Sequence, residues 1–186
     1  MSRLPRAARL GITLAILVVV AVVLLFVVFP SGQSTAVAAA TSKVKADAGT
    51  VRVLVTQKWG DGEFVLARFD SSGKRMLRLV FATKGARGWR AAGSTQQRAD
   101  ITDVAVGSLL VARSKGGKGQ PAWSIAAGEL GDPRIRSVQV RWSSGQTTTR
   151  ARQNDSYLIV ERGTMGASSV RYASKDGTEI ATVPVG

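Results

Sequence analysis

Between Leu10 and Phe29 the chain carries no charged residue, and Thr13 is the one polar side chain. At 1.5 Å per residue such a run makes a helix of about 30 Å, which matches the hydrocarbon core of a bilayer. A helix in water shows a polar face at helical spacing; this run has none. Its valines are poor helix formers in water, but in lipid an unpaired backbone group costs far more than any propensity difference. Arg3, Arg6 and Arg9 precede the run, and no Lys or Arg follows until Lys43. Positive charge beside a helix end stays in the cytoplasm. The expected organisation is a cytoplasmic basic segment (1–9), a transmembrane signal-anchor helix (10–29), a linker (30–48) and an exported β-rich domain (49–186). A cleaved signal peptide has the same basic start. Its apolar stretch is usually only about 7–15 residues, although Ala36-Val37-Ala38 and Ala38-Ala39-Ala40 offer small-residue cleavage sites.

Absences narrow the chemistry. The chain contains no His and no Cys. That removes His-based acid–base catalysis, Cys nucleophiles, Ser-His-Asp triads, the usual zinc and copper sites, disulfides and a lipoprotein anchor. Lys and Arg number 26 against 12 Asp and Glu, a net +14. Without Arg3, Arg6 and Arg9 the exported part keeps +11. A basic excess of that size suits anionic partners such as phospholipid headgroups or envelope polymers. General solubility charge explains it equally well.

Pro30 and Gly32, followed by small and polar residues, read as the linker. From Val51 the pattern turns to period two. Strands are expected over 51–56, 63–69 and 75–83, joined by Asp61-Gly62 and by Asp70 to Gly73, with a short fourth strand near Trp89. Residues 93–105 fit a short helix or a loop. Further strands are expected over 106–113, 122–130, 137–142, 146–152, 157–161, 169–173 and 179–183. Short strands punctuated by Gly and Asp predict an all-β fold, a β-sandwich or partly open barrel preceded by the one membrane helix.

Few motifs carry chemistry. Ser71-Ser72-Gly73-Lys74 and Ser42-Lys43-Val44-Lys45 match S-x-x-K, but one copy falls on a turn and the other on the linker, not at the start of a buried helix. Gly116-Gly117-Lys118-Gly119 lacks the Ser or Thr and the helix of a P-loop. Gly11-Ile12-Thr13-Leu14 resembles a type IV pilin processing site, but Ile16 stands where that family has Glu. Most carboxylates sit at turns, where turn chemistry accounts for them.

The positive feature is basic. Pairing the hairpin about Ser143-Ser144-Gly145 sets Val140 opposite Thr149 and Val138 opposite Ala151. Arg141, Arg150 and Arg152 then share the outward face, with Arg134 and Arg136 just before the same strand. Five guanidinium groups in one region can grip phosphates or carboxylates bidentately. A solvated face whose charges blunt edge pairing is the competing explanation. Trp142 is expected inward, in the core.

Gly128-Glu129-Leu130-Gly131-Asp132-Pro133-Arg134-Ile135, with Val138-Gln139-Val140 and the Ser144-Gly145 turn, resembles small membrane-anchored exported β-domain proteins of Gram-positive bacteria, which have no assigned function. The resemblance rests on turn and core residues, so it implies fold and layout and transfers no site. The expectation is a non-enzymatic binding module of the cell envelope, held in the cell membrane, with no cofactor. Its partners are the bilayer through residues 10–29 and an anionic polymer or lipid headgroup; nucleic acid is not favoured. The alternatives are a protein–protein accessory subunit of a membrane complex and, less favoured, a small hydrolase.

Overall fold

The computed structural model describes residues 33–42, 44–99, 106–116 and 121–185. Three antiparallel sheets make up nearly all of its regular secondary structure. The first is a meander of β1 (Arg52–Trp59), β2 (Gly62–Ser71), β3 (Lys74–Gly85) and β4 (Gly88–Arg98). The second has the order β5 (Leu110–Ser114), β6 (Trp123–Glu129), β9 (Ser156–Arg162). The third runs β11 (Glu179–Pro184), β10 (Ala167–Ala173), β7 (Ser137–Trp142), β8 (Thr147–Ala151). The expected all-β class is what the described residues form. The expected membrane helix, 10–29, lies outside them, and no helix among them is long and apolar enough to cross a membrane.

The second sheet is the middle layer. Ile125, Ala127, Leu158 and Val160 pack towards Phe64, Leu66, Leu77, Leu79 and Phe81 of the first sheet. Ala126, Tyr157 and Ile159 point the other way, onto Val138, Val140, Trp142, Val170 and Tyr172 of the third. A strand covered on both faces reads as an unbroken apolar run. Ser156 to Val160 and Ser124 to Gly128 are accordingly buried throughout. Trp142 lies inward, as its alternation predicts, with its indole N–H donating to Thr148 Oγ1 at 3.0 Å.

Part of the expected linker belongs to the packed structure. Ala36–Thr41 forms a short helix, α1, whose N-cap Thr35 accepts from the Ala38 N–H at 3.0 Å. Ala36, Ala39 and Ala40 fall on one face at helical spacing and sit on Val65, Val80 and Ala82, the outer face of β2 and β3. Composition alone reads AVAAAT as linker because its residues are small; small side chains are what let a helix lie close on a sheet. Further on, the Asp47 carboxylate accepts from Ser72 N–H and Gly73 N–H and so caps the β2–β3 turn. The S-x-x-K at Ser71 is therefore a hairpin turn, with Ser72 at φ +53° and Gly73 at φ +72°.

Two other local expectations shift. The β1–β2 turn is Gly60-Asp61, one residue earlier than expected, with Gly60 at φ +54°. Gly62 serves packing instead: a Cβ there meets the Phe81 ring at 2.5 Å. The fourth strand is long, not short, and takes in residues 93–98, which sequence left undecided.

Gly128 sits where β6 meets the segment leading to β5. Ser108 N–H donates to the Glu129 carbonyl at 2.9 Å, and Glu129 N–H donates to Ser108 Oγ at 3.1 Å. A Cβ on Gly128 stands 1.9 Å from the Ser108 carbonyl oxygen, a backbone atom that cannot turn aside. Overpacking of this kind costs about 1–3 kcal/mol or more. Gly128→Ala is expected to lower the urea midpoint with the slope unchanged, which equilibrium unfolding followed by tryptophan emission will show.

Candidate functional site

The five arginines do not form one stripe. In the β7–β8 hairpin Val138 faces Arg150, Val140 faces Thr148 and Arg141 faces Thr147. The expected register is off by one. Its cause is the loop: Ser143-Ser144-Gly145 is a three-residue connection, with Gly145 N–H donating to the Trp142 carbonyl at 2.9 Å and Gly145 at φ +84°. A type I turn closed by a left-handed glycine takes one residue more than a two-residue turn. A shift of one residue sends every side chain of the return strand to the other face. Arg150 therefore shares the face of Val138 and Val140, exposed at the edge strand, while Arg141 lies on the outer face.

Arg152 is a structural clasp. Its guanidinium donates to the carbonyls of Asp132 (3.0 Å) and Ile135 (3.3 Å), and pairs with Asp155. Arg134 pairs with Asp132 at 2.7 Å, and this guanidinium, with the Arg134 backbone N–H, holds the Asp132 carboxyl below its ordinary range. Arg136 is exposed, near Arg134 and Lys175, on a shallow surface depression of about 850 Å³.

The outer face of the third sheet offers a better-formed basic site. Thr147, Arg141 and Ser169 lie in one cross-strand row; Thr149, Gln139, Arg171 and Thr182 lie in the next. Directly opposed residues share a face, so two guanidinium groups sit among hydroxyls and an amide, over a depression of about 410 Å³. Arg171 pairs with Glu179 at 2.9 Å, whereas Arg141 makes no ion pair among the described residues. Sequence reading missed Arg171. Its alternation with Val170 and Tyr172, both buried, was the available signal.

A second cleft, about 370 Å³, opens between β4 and β5. Phe64, Phe81 and Trp123 are among its lining residues, with Gly93 to Thr95 and Arg113. The β4 strand beside it is the edge of its sheet and is exposed along almost its whole length.

Several carboxylates have identifiable partners. Glu129 pairs with Arg68 and so ties the middle sheet to the first. Asp176 accepts from the Ser174 hydroxyl and, at 3.2 Å, from Thr178 N–H, which hold it below its ordinary range. Glu161 accepts from Thr148 Oγ1 at 2.8 Å. Among the described residues no three acidic side chains gather as a metal site. No family model, curated protein or solved structure matches the chain.

Proposed function

We propose that the chain is a single-pass membrane protein whose extracytoplasmic β-rich domain is a non-enzymatic binding module of the cell envelope, with a basic surface for an anionic polymer or lipid. The uncharged run from Leu10 to Phe29 and the arginines before it support the anchor and its orientation. The three sheets support a layered sandwich rather than a barrel, because the middle sheet is covered on both faces.

One observation carries the ligand class. Arg141, without an ion-pair partner among the described residues, stands beside Thr147 and Ser169, with Arg171 and Gln139 in the next row. A planar guanidinium with neighbouring hydroxyl donors suits the oxygens of a phosphate or carboxylate. Retention of the detergent-solubilised full chain on an immobilised anionic envelope polymer is expected to fall steeply as salt rises. It is expected to fall further when Arg141→Ala and Arg171→Ala are combined. Retention indifferent to both changes overturns this reading.

A second reading, an accessory subunit of a membrane complex, is favoured by the edge of β4 beyond Trp89, the residue that Gln33 pairs. A partner strand adding there is held by main-chain hydrogen bonds. Such binding survives salt that releases a polymer.

A further inference from the structure

Three of the four tryptophans lie at one end of the first sheet, Trp59 and Trp123 against its core face and Trp89 against its outer face beside α1. Trp59 closes β1 opposite Gly62, and Gly62 faces Thr83 near the end of β3. Trp89 opens β4 opposite Lys84, and Trp123 opens β6 opposite Arg162. Phe64 joins two of them, with ring centroids 6.3 Å from Trp59 and 5.2 Å from Trp123. All three indoles are half-buried, whereas Trp142 in the core is closed off. Lys58, Lys84, Arg90 and Arg162 are exposed around them, the last with its guanidinium 6.0 Å from the centre of the Trp59 ring. Asp61 is exposed at the same end.

The chain joins the domain here. Gln33 and Trp89 exchange both backbone hydrogen bonds, at 2.8 and 2.9 Å. Phe29, the last residue of the apolar run, is only four residues before Gln33, a span of about 14 Å at full extension. The headgroup layer occupies about 5–8 Å on each side of the hydrocarbon core. The other end of the first sheet, at Lys74, is ten residues of β3 from Lys84, about 33 Å away. A bilayer that holds residues 10–29 therefore has this end within about 14 Å of its hydrocarbon core, and a domain standing upright on it keeps the far end away.

We propose that the Trp59–Trp89–Trp123 end of the domain is a docking surface for the anionic phospholipid headgroups of the membrane in which residues 10–29 are anchored. The proposal rests on the anchor reading given above. Indoles prefer the headgroup level, where the ring is in apolar surroundings and the N–H is wet; the Trp59 N–H is buried without a partner among the described residues, so that indole offers the edge of its ring and not its donor. Lys84 and Arg90, flanking Trp89, meet lipid phosphates. Each basic side chain near an anionic surface is worth about 1 kcal/mol, or about fivefold in binding.

The chain has no cysteine, so one introduced cysteine takes a fluorophore cleanly. Ala86→Cys, in the β3–β4 turn, and Lys74→Cys, at the far end, are each made in the full chain and reconstituted into vesicles. The lipids carry a nitroxide quencher on their headgroups, with or without phosphatidylglycerol. Resistance to carbonate extraction is measured first; a chain that washes off removes the anchor and the proposal with it. In a retained chain, strong quenching is expected at position 86 and none at 74. The quenching at 86 is expected to grow with phosphatidylglycerol. Combining Lys84→Gln with Arg90→Gln is expected to weaken the anionic preference by about 25-fold, fivefold for each. Equal quenching at both positions, or quenching at 86 that ignores lipid charge in the unsubstituted surface, overturns headgroup docking while leaving the anchor intact.

Discussion

Phe64→Ala is expected to destabilise the domain by about 3–5 kcal/mol, the usual cost of deleting a buried phenyl ring. Phe64 is fully buried and lies in the cluster shared by the first and middle sheets. Its ring contacts Phe81 with centroids 4.6 Å apart, besides Trp59 and Trp123. The neighbours cannot close the gap easily, because Phe81 already presses on Gly62, where there is no Cβ to move. Domains of this size hold about 5–15 kcal/mol in all, so the substitution removes a large share. Urea unfolding measures it, and a loss below about 1 kcal/mol would mean that the cluster collapses into the space. The same substitution reaches the proposed lipid surface. Phe64 is the wedge that spaces Trp59 from Trp123, so emission from these indoles should shift even in molecules that remain folded.

The second large effect is expected at high pH. Tyr157 and Tyr172 are buried in the core between the middle and third sheets, and their hydroxyls are 3.0 Å apart. Burial raises both phenols above their ordinary range, Tyr157 by more. A phenol is charged only when it loses its proton. Below about pH 10 both folded and unfolded chains keep the proton, and these tyrosines add no pH dependence. Above that, the unfolded chain ionises first and binds fewer protons than the folded one. Stability therefore falls as pH rises, by up to about 1.4 kcal/mol per pH unit for each tyrosine, until the folded phenols ionise as well. Tyr157→Phe with Tyr172→Phe is expected to be nearly neutral at pH 7, since both partners of the hydrogen bond leave together. It is expected to flatten the alkaline loss. Tyr157→Phe alone strands the Tyr172 hydroxyl in the core and costs about 1–3 kcal/mol at neutral pH. Urea midpoints from pH 8 to the alkaline limit separate these cases; equal alkaline slopes in wild type and double variant would sink the assignment.

Some features of the molecule are local in sequence and others are not. The strands were legible because alternation at Leu77, Leu79 and Phe81, or at Val138, Val140 and Trp142, is a property of a few consecutive residues. Turn residues such as Asp70 to Gly73 marked their ends for the same reason. The candidate basic site was less legible. Arg141, Arg150 and Arg152 were visible as charges, but their faces depended on whether the Ser143-Ser144-Gly145 loop holds two residues or three. That choice is made by one hydrogen bond to the Trp142 carbonyl and one left-handed glycine, and its consequence runs the length of β8.

Composition, alternation and the apolar run thus determined the all-β class, most strand positions, the basic excess and the expectation of an anchor. Tertiary structure decided which charges are spent inside the fold and which are left to meet a partner. Arg152 looks like Arg141 in sequence, yet one is held by carbonyls of a distant turn and the other has no ion pair among the described residues. Likewise AVAAAT became a packed helix only because Val65, Val80 and Ala82 present an apolar sheet face for it to cover. A residue's charge and size are written locally. Whether they are satisfied depends on groups far along the chain, which only folding brings within reach.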